Sequence, residues 1–174
     1  MRRLPILLSI ALLFGFAPNF PAQASGPYDA SSVMFAQMMI PHHQQAVLIS
    51  KWALKQGNNA AVKKLAARII AEQGSEIAQM QKWIPGDDMT GMEMHSHMQG
   101  IVSAADLSKL KAARGKKFDG LYLVNMTMHH QGAIAMATPL IKSKNSEVAA
   151  LCKSIISGQS AEISEMRRIM MTGK

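Results

Sequence analysis

The sequence predicts an all-α protein, an antiparallel four-helix bundle made of two repeated αα-hairpins. The first observation behind this is a duplication. Met39-Ile40-Pro41-His42-His43-Gln44 returns as Met126-Thr127-Met128-His129-His130-Gln131. Downstream of it, Val62, Leu65, Ile69, Ile70, Gln73, Glu76, Ile77 and Met80 return as Val148, Leu151, Ile155, Ile156, Gln159, Glu162, Ile163 and Met166, with one residue lost between the two stretches. The second is periodicity: apolar positions 62, 65, 69, 80 and 83 follow a 3.6-residue repeat and not a two-residue one. The third is an aromatic content of only 5%, poor material for a β-sandwich. Two hairpins of this length bury their stripes best against each other, with pseudo-twofold symmetry.

The elements follow in chain order. Met1-Arg2-Arg3, the apolar run Leu4 to Phe16 and the small-x-small site Ala22-Gln23-Ala24 read as a secretory signal peptide, residues 1–24. Its apolar run is too short to span a bilayer, and no later segment is long and apolar enough to do so. Residues 25–174 are expected to form a single exported domain with no stable membrane insertion. Repeat one covers about 32–84, as helices over 32–56 and 59–84 around the turn Gln56-Gly57-Asn58. A Met/His-rich linker spans 85–102, with Pro85, Gly86, Gly91 and Gly100 marking it as loop. Repeat two covers about 103–171. Ser103 with Asp106 resembles a capping box that opens a short helix ending near Gly115. Helices over 119–143 and 145–171 follow around Ser143-Lys144-Asn145. Pro41 is expected to kink the first helix, and Pro139 the third.

Composition narrows the chemistry. Of 174 residues, 15 are Met, 6 are His and 1 is Cys. One cysteine excludes an internal disulfide and any Cys-only metal site. Loss of Arg2 and Arg3 with the signal leaves 17 basic against 11 acidic residues, a charge of about +6. The lysines are scattered at helical spacing, as on solvated faces, and the chain carries no nucleic-acid fingerprint. Cys152 reads as a small buried thiol, and Trp52 and Trp83 as packing anchors.

At 100° per residue, Phe35, Met39, His42, His43, Ala46, Ile49 and Ala53 share the core face of the first helix. Tyr122, Met126, His129, His130, Ala133, Met136 and Leu140 do the same on the third. Glu76 lies near the centre of the stripe that holds Leu65, Ile69, Gln73, Met80 and Trp83, and Glu162 repeats it beside Gln159 and Met166. A carboxylate there needs a partner. Folding each hairpin at its turn brings Met39 level with about Glu76 and His42 with about Gln73; Met126 comes level with about Glu162 and His129 with about Gln159. Each half thus offers Met, His, His, Gln and Glu in one layer. Met39 can share an ion with His42 or His43, and Met126 with His129 or His130. Imidazole with thioether suits copper, thioether favouring Cu(I). Glu76, Glu162, Met80 and Met166 are further ligands or supports. The plainer reading is a set of hydrogen-bonded core histidines, with Met80 and Met166 as ordinary packing.

The linker adds Met89, Met92, Met94, His95, His97 and Met98. Core packing accounts poorly for four methionines in a Gly-punctuated polar loop. Spaced thioethers with imidazoles make a soft, low-coordination site for Cu(I) or silver. The alternative is a short amphipathic segment packing Met92 and His95 on the bundle.

Met38-Met39-Ile40-Pro41-His42-His43-Gln44-Gln45-Ala46, and its echo from Phe118-Asp119 through Met126-Thr127-Met128-His129-His130-Gln131-Gly132-Ala133-Ile134, resemble the signature of the family named domain of unknown function 305. That family includes the CopM-like periplasmic copper-binding proteins and is placed with ferritin-like bundles. The resemblance covers nearly all of residues 25–174. It implies copper binding through the Met and His residues above and a part in copper tolerance outside the cytoplasm. Met128 stands where the first repeat has Pro41, so the two sites need not be equivalent. No Glu-x-x-His motif supports di-iron chemistry. The expectation is a periplasmic or otherwise exported protein, not an enzyme, that buffers, sequesters or delivers Cu(I) or Cu(II), with another copper-handling protein as a candidate partner. The rival readings are a periplasmic chaperone or stress adaptor with a Met-rich client surface and a metal oxidase.

Overall fold

The structure, a computed structural model, describes residues 27–86 and 98–174. The signal-peptide expectation therefore lies outside the described residues, as do Met89, Met92, Met94, His95 and His97. Among the described residues the regular structure is helical: α1 (Ala30–Gln56), α2 (Ala60–Gln81), α3 (Ala104–Ala112), α4 (Gly115–Ala137) and α5 (Ser146–Thr172). Local chemistry sets the boundaries. Asp29 caps α1 by accepting from the Ser32 N–H at 2.8 Å. Asn59 and Asn145, at matching places in the two repeats, cap α2 and α5. The expected box at Ser103 forms in altered guise. Its hydroxyl accepts from the Asp106 N–H and donates to the Asp106 carboxylate.

Two expectations need correction. The third long helix begins at Gly115, not near residue 119, because only two residues separate it from the end of α3. It also ends at Ala137 and tightens into a 3₁₀ turn, Thr138–Leu140, instead of continuing kinked to 143. Pro139 sits at the start of that turn, where its missing N–H and fixed φ are tolerated. Pro41, by contrast, is buried inside α1, which runs on through it.

The two hairpins pack α1 on α2 and α4 on α5. The hairpins meet along α1 and α4, with a thinner seam between α2 and α5. Two apolar clusters fill the interior. One gathers Ala46, Ile49, Leu65, Ile69, Tyr122, Met126, Met166 and their neighbours. The other gathers Phe35, Met39, Ile40, Met80, Trp83, Val148 and Ile155. Trp83 anchors the second, stacked on Tyr28 at 5.5 Å and donating its indole N–H to Glu147 at 3.2 Å. Met136 and Leu140 are only half-buried at its margin. Cys152 is buried in the same cluster, and desolvation pushes its thiol up to about 11.

Candidate metal centre

A buried polar layer lies between the two apolar clusters. His42 and His43 of α1, His129 and His130 of α4, Gln73 of α2, and Gln159 and Glu162 of α5 are all buried in it. The helical stripe explains why: adjacent histidines diverge by 100°, so both members of a pair point inward only where neighbours crowd both directions. Here α1 and α4 face each other, and each pair meets both the opposing helix and its own hairpin partner.

The four rings form a chain across the molecule. The His42 and His129 rings lie against each other across the α1–α4 contact, centroids 3.8 Å apart and planes inclined by 38°. His43 and His130 stand 6.4 Å and 6.3 Å beyond them. Each outer ring ends on a carboxylate. The His43 Nε2–H donates to Glu76 at 2.8 Å, and the His130 Nε2–H to Glu162 at 2.7 Å. The carboxylates thus meet the second histidine of each pair. Folding at the turn had placed them level with the methionine about one helical turn away, an offset that a Glu side chain spans. Glu76 lies nearer the rim than its stripe position suggests, its side chain 17% exposed against 5% for Glu162. Glu162 also faces Arg68 at 3.7 Å, which pairs in turn with Glu72 and Glu165 along the α2–α5 seam.

Hydrogen bonding fixes the tautomers. A carboxylate only accepts, so Nε2 of His43 and His130 carries a proton. Their Nδ1 atoms are buried without a partner, as is Nδ1 of His42. His129 makes no well-aligned hydrogen bond at either nitrogen, with only a weak contact to the His42 main chain, and both amide atoms of Gln73 and Gln159 are unpartnered. A buried polar atom left unpaired costs about 1–3 kcal/mol, so this layer is held against stability. The two central rings, His42 and His129, are neutral. Desolvation, then the neighbouring His43, lowers the His42 pKa to about 3, and desolvation holds His129 well below its usual value. Neutral imidazole is the metal-ligating form.

Met39 and Met80 are buried in one apolar cluster, and Met126 and Met166 in the other. Each histidine pair is therefore flanked along the chain by a methionine one turn away. Met98 is half-buried at the end of the linker. Among the described residues, no three His, Cys, Asp or Glu side chains are disposed to hold one ion. The donors instead come as imidazole pairs beside thioethers, a low-coordination set suited to a soft ion. The sequence reading missed Gln45, Gln99 and Gly132. Gln99 accepts from the His42 Nε2–H through its carbonyl at 3.2 Å. The only trace of this in the sequence is that the repeats part at Gln45 and Gly132, directly after the shared His-His-Gln.

The description "Domain of unknown function (DUF305)" matches residues 32–170. No curated protein sequence matches the chain. Among solved structures, the chain is similar to a DUF305 fragment from Deinococcus radiodurans, with 29% identity over 83% of this chain and 97% of that one, TM-score 0.73. It is similar to a DUF305 protein of Streptomyces coelicolor, provisionally described as secreted, with 30% identity over 78% and 89%, TM-score 0.69. It is also similar to CopM in its Cu(II)-bound form, with 30% identity over 82% and 97%, TM-score 0.67. CopM has further been solved with Cu(I) and with silver bound, and those forms match at 32% and 33% identity.

Proposed function

Because the chain belongs to the DUF305 family, we propose that it is an exported copper-binding protein with a ferritin-like four-helix bundle, and that its buried histidine layer takes up the ion. The observation that carries this reading is His129. It is wholly buried, neither ring nitrogen makes a well-aligned hydrogen bond, and its ring centroid lies 3.8 Å from that of His42. A fold that retains such a cost at its centre retains it for a ligand. The likeness to CopM with copper and with silver bound supports the choice of ion.

In this reading copper is cargo, and no bond of a substrate is made or broken. Imidazole nitrogens of His42, His43, His129 and His130 supply borderline donors, and Met39 and Met126 supply soft ones. The pairing suits Cu(I) and its mimic silver. Glu76 and Glu162 orient the outer imidazoles and raise their basicity, as carboxylates do behind metal-bound histidine. The linker donors Met89, Met92, Met94, His95, His97 and Met98 form a separate, softer capture site. Export rests on the basic, apolar and small-x-small order of residues 1–24.

Protein purified without a His tag, stripped of metal, loaded with Cu(I) under anaerobic conditions and desalted is expected to retain at least one copper, measured by mass spectrometry of the metal. Replacement of His42, His43, His129 and His130 by alanine removes the bundle-bound copper. Retention equal to wild type in a folded variant would overturn the site. Replacing Met89, Met92, Met94, His95, His97 and Met98 by serine, which keeps the chain length up to Gln99, reads out the linker donors independently.

A further inference from the structure

The last residues of the linker cross the α1–α4 groove directly over the histidine layer. Two side-chain positions hold them there, and these are the same position of the two repeats. Gln45 grips Val102 at two points. Its amide donates to the Val102 carbonyl at 3.1 Å and accepts from the Val102 N–H at 2.7 Å. Gly132 provides the space. A Cβ at 132 would overlap the Gln99 carbonyl oxygen and lie 2.7 Å from the Gly100 Cα. Gly100 is equally confined: it has φ +80°, and a Cβ there would meet the Met128 carbonyl at 2.7 Å and the Gly132 Cα at 2.9 Å. Two main chains thus pass glycine to glycine. A glycine inside a helix costs about 1 kcal/mol relative to alanine, and α4 carries it where the strap crosses.

We infer that Gln45 and Gly132 are positioning residues for the metal centre: they seat residues 98–102 so that the Gln99 carbonyl holds His42 with Nε2 protonated and Nδ1 free to bind the ion. The inference rests on the copper reading for its purpose, and its geometry stands apart from it. A carbonyl only accepts, so the 3.2 Å contact fixes the proton on Nε2. Glu76 and Glu162 do the same for His43 and His130 from the opposite side. Three of the four rings are therefore held at Nε2, and His129 alone is unfixed. Met98 immediately precedes Gln99 in this strap.

The test is the imidazole tautomer in the metal-free protein at pH 7, read from long-range ¹H–¹⁵N correlations of the full mature chain with ¹⁵N-labelled histidine. Wild type is expected to show His42 as the Nε2–H form. Gly132→Ala, which displaces the strap, turns the His42 signal into a tautomer mixture and leaves those of His43 and His130 in place. Copper affinity then falls by about tenfold, as on loss of an orienting partner. Gln45→Leu releases the clamp from a half-buried surface of α1 and gives the same readout if the glycine variant fails to fold. An Nδ1–H tautomer for His42 in wild type, or a wild-type His42 pattern in both variants, overturns the inference. Absence of copper binding with the expected tautomers would sink the copper reading and leave the strap standing.

Discussion

His129 and His42 face each other as neutral rings inside a buried layer, and that sets how the metal-free protein responds to acid. The unfolded chain takes up a proton on each imidazole near the usual value of 6.5, whereas folded His42 resists protonation down to about 3 and His129 is held well below 6.5. Between about 3 and 6.5 the unfolded state binds more protons, so stability rises with pH through that window and is lost as pH falls below 6.5. Well inside it, each such ring contributes a slope of about 1.4 kcal/mol per pH unit. The thermal midpoint of metal-free protein is therefore expected to fall steeply from pH 7 to pH 5. His129→Leu, which replaces an unpartnered ring by an apolar side chain, should raise stability at pH 7 by about 1–2 kcal/mol and flatten that pH dependence. A destabilised variant with an unchanged pH profile would show that the ring is satisfied in solution. At this scale the sequence displayed the donors and their inward direction, because helical phase follows from spacing alone. It placed Glu76 and Glu162 in the histidines' layer but did not display Gln99, which reaches His42 from 57 residues away.

The helices owe their ends to short-range chemistry, which is why most were legible. Asn59 accepts from the N–H groups of Ala61 and Val62, and Asn145 from those of Glu147 and Val148. Alanine at either position is expected to cost about 1 kcal/mol by chemical denaturation. Asp119 belongs to a different class. Its buried carboxylate, on α4, accepts from the main-chain N–H groups of Asn58 and Asn59 in the turn between α1 and α2. It ties the second hairpin to the first. Asp119→Ala strands those donors and is expected to cost about 2–3 kcal/mol, more than either cap. An equal or smaller loss would mean that water replaces the carboxylate. The early end of α4 was not legible from its apolar pattern, which runs on through Leu140. The proline ring decided it, against the stripe.

For the whole molecule, copper bound only by the folded state stabilises by mass action. Free Cu(I) at a hundredfold excess over its dissociation constant is expected to add about 2.7 kcal/mol, seen as a rise in thermal midpoint that grows with copper concentration. The rise should vanish in the variant lacking all four layer histidines; its survival there would place the stabilising ion elsewhere. The sequence by itself determined the helical class, the duplication, the inward face of each histidine pair and the soft character of the donors. All of these follow from residue type and a 3.6-residue period. Only the tertiary structure decided that the two pairs meet as one layer, that Glu76 and Glu162 close its outer ends, and that a strap held by Gln45 and Gly132 covers His42. Those are contacts between segments distant in the chain. The spacing within one helix fixes a direction, and packing against another helix fixes what lies in that direction.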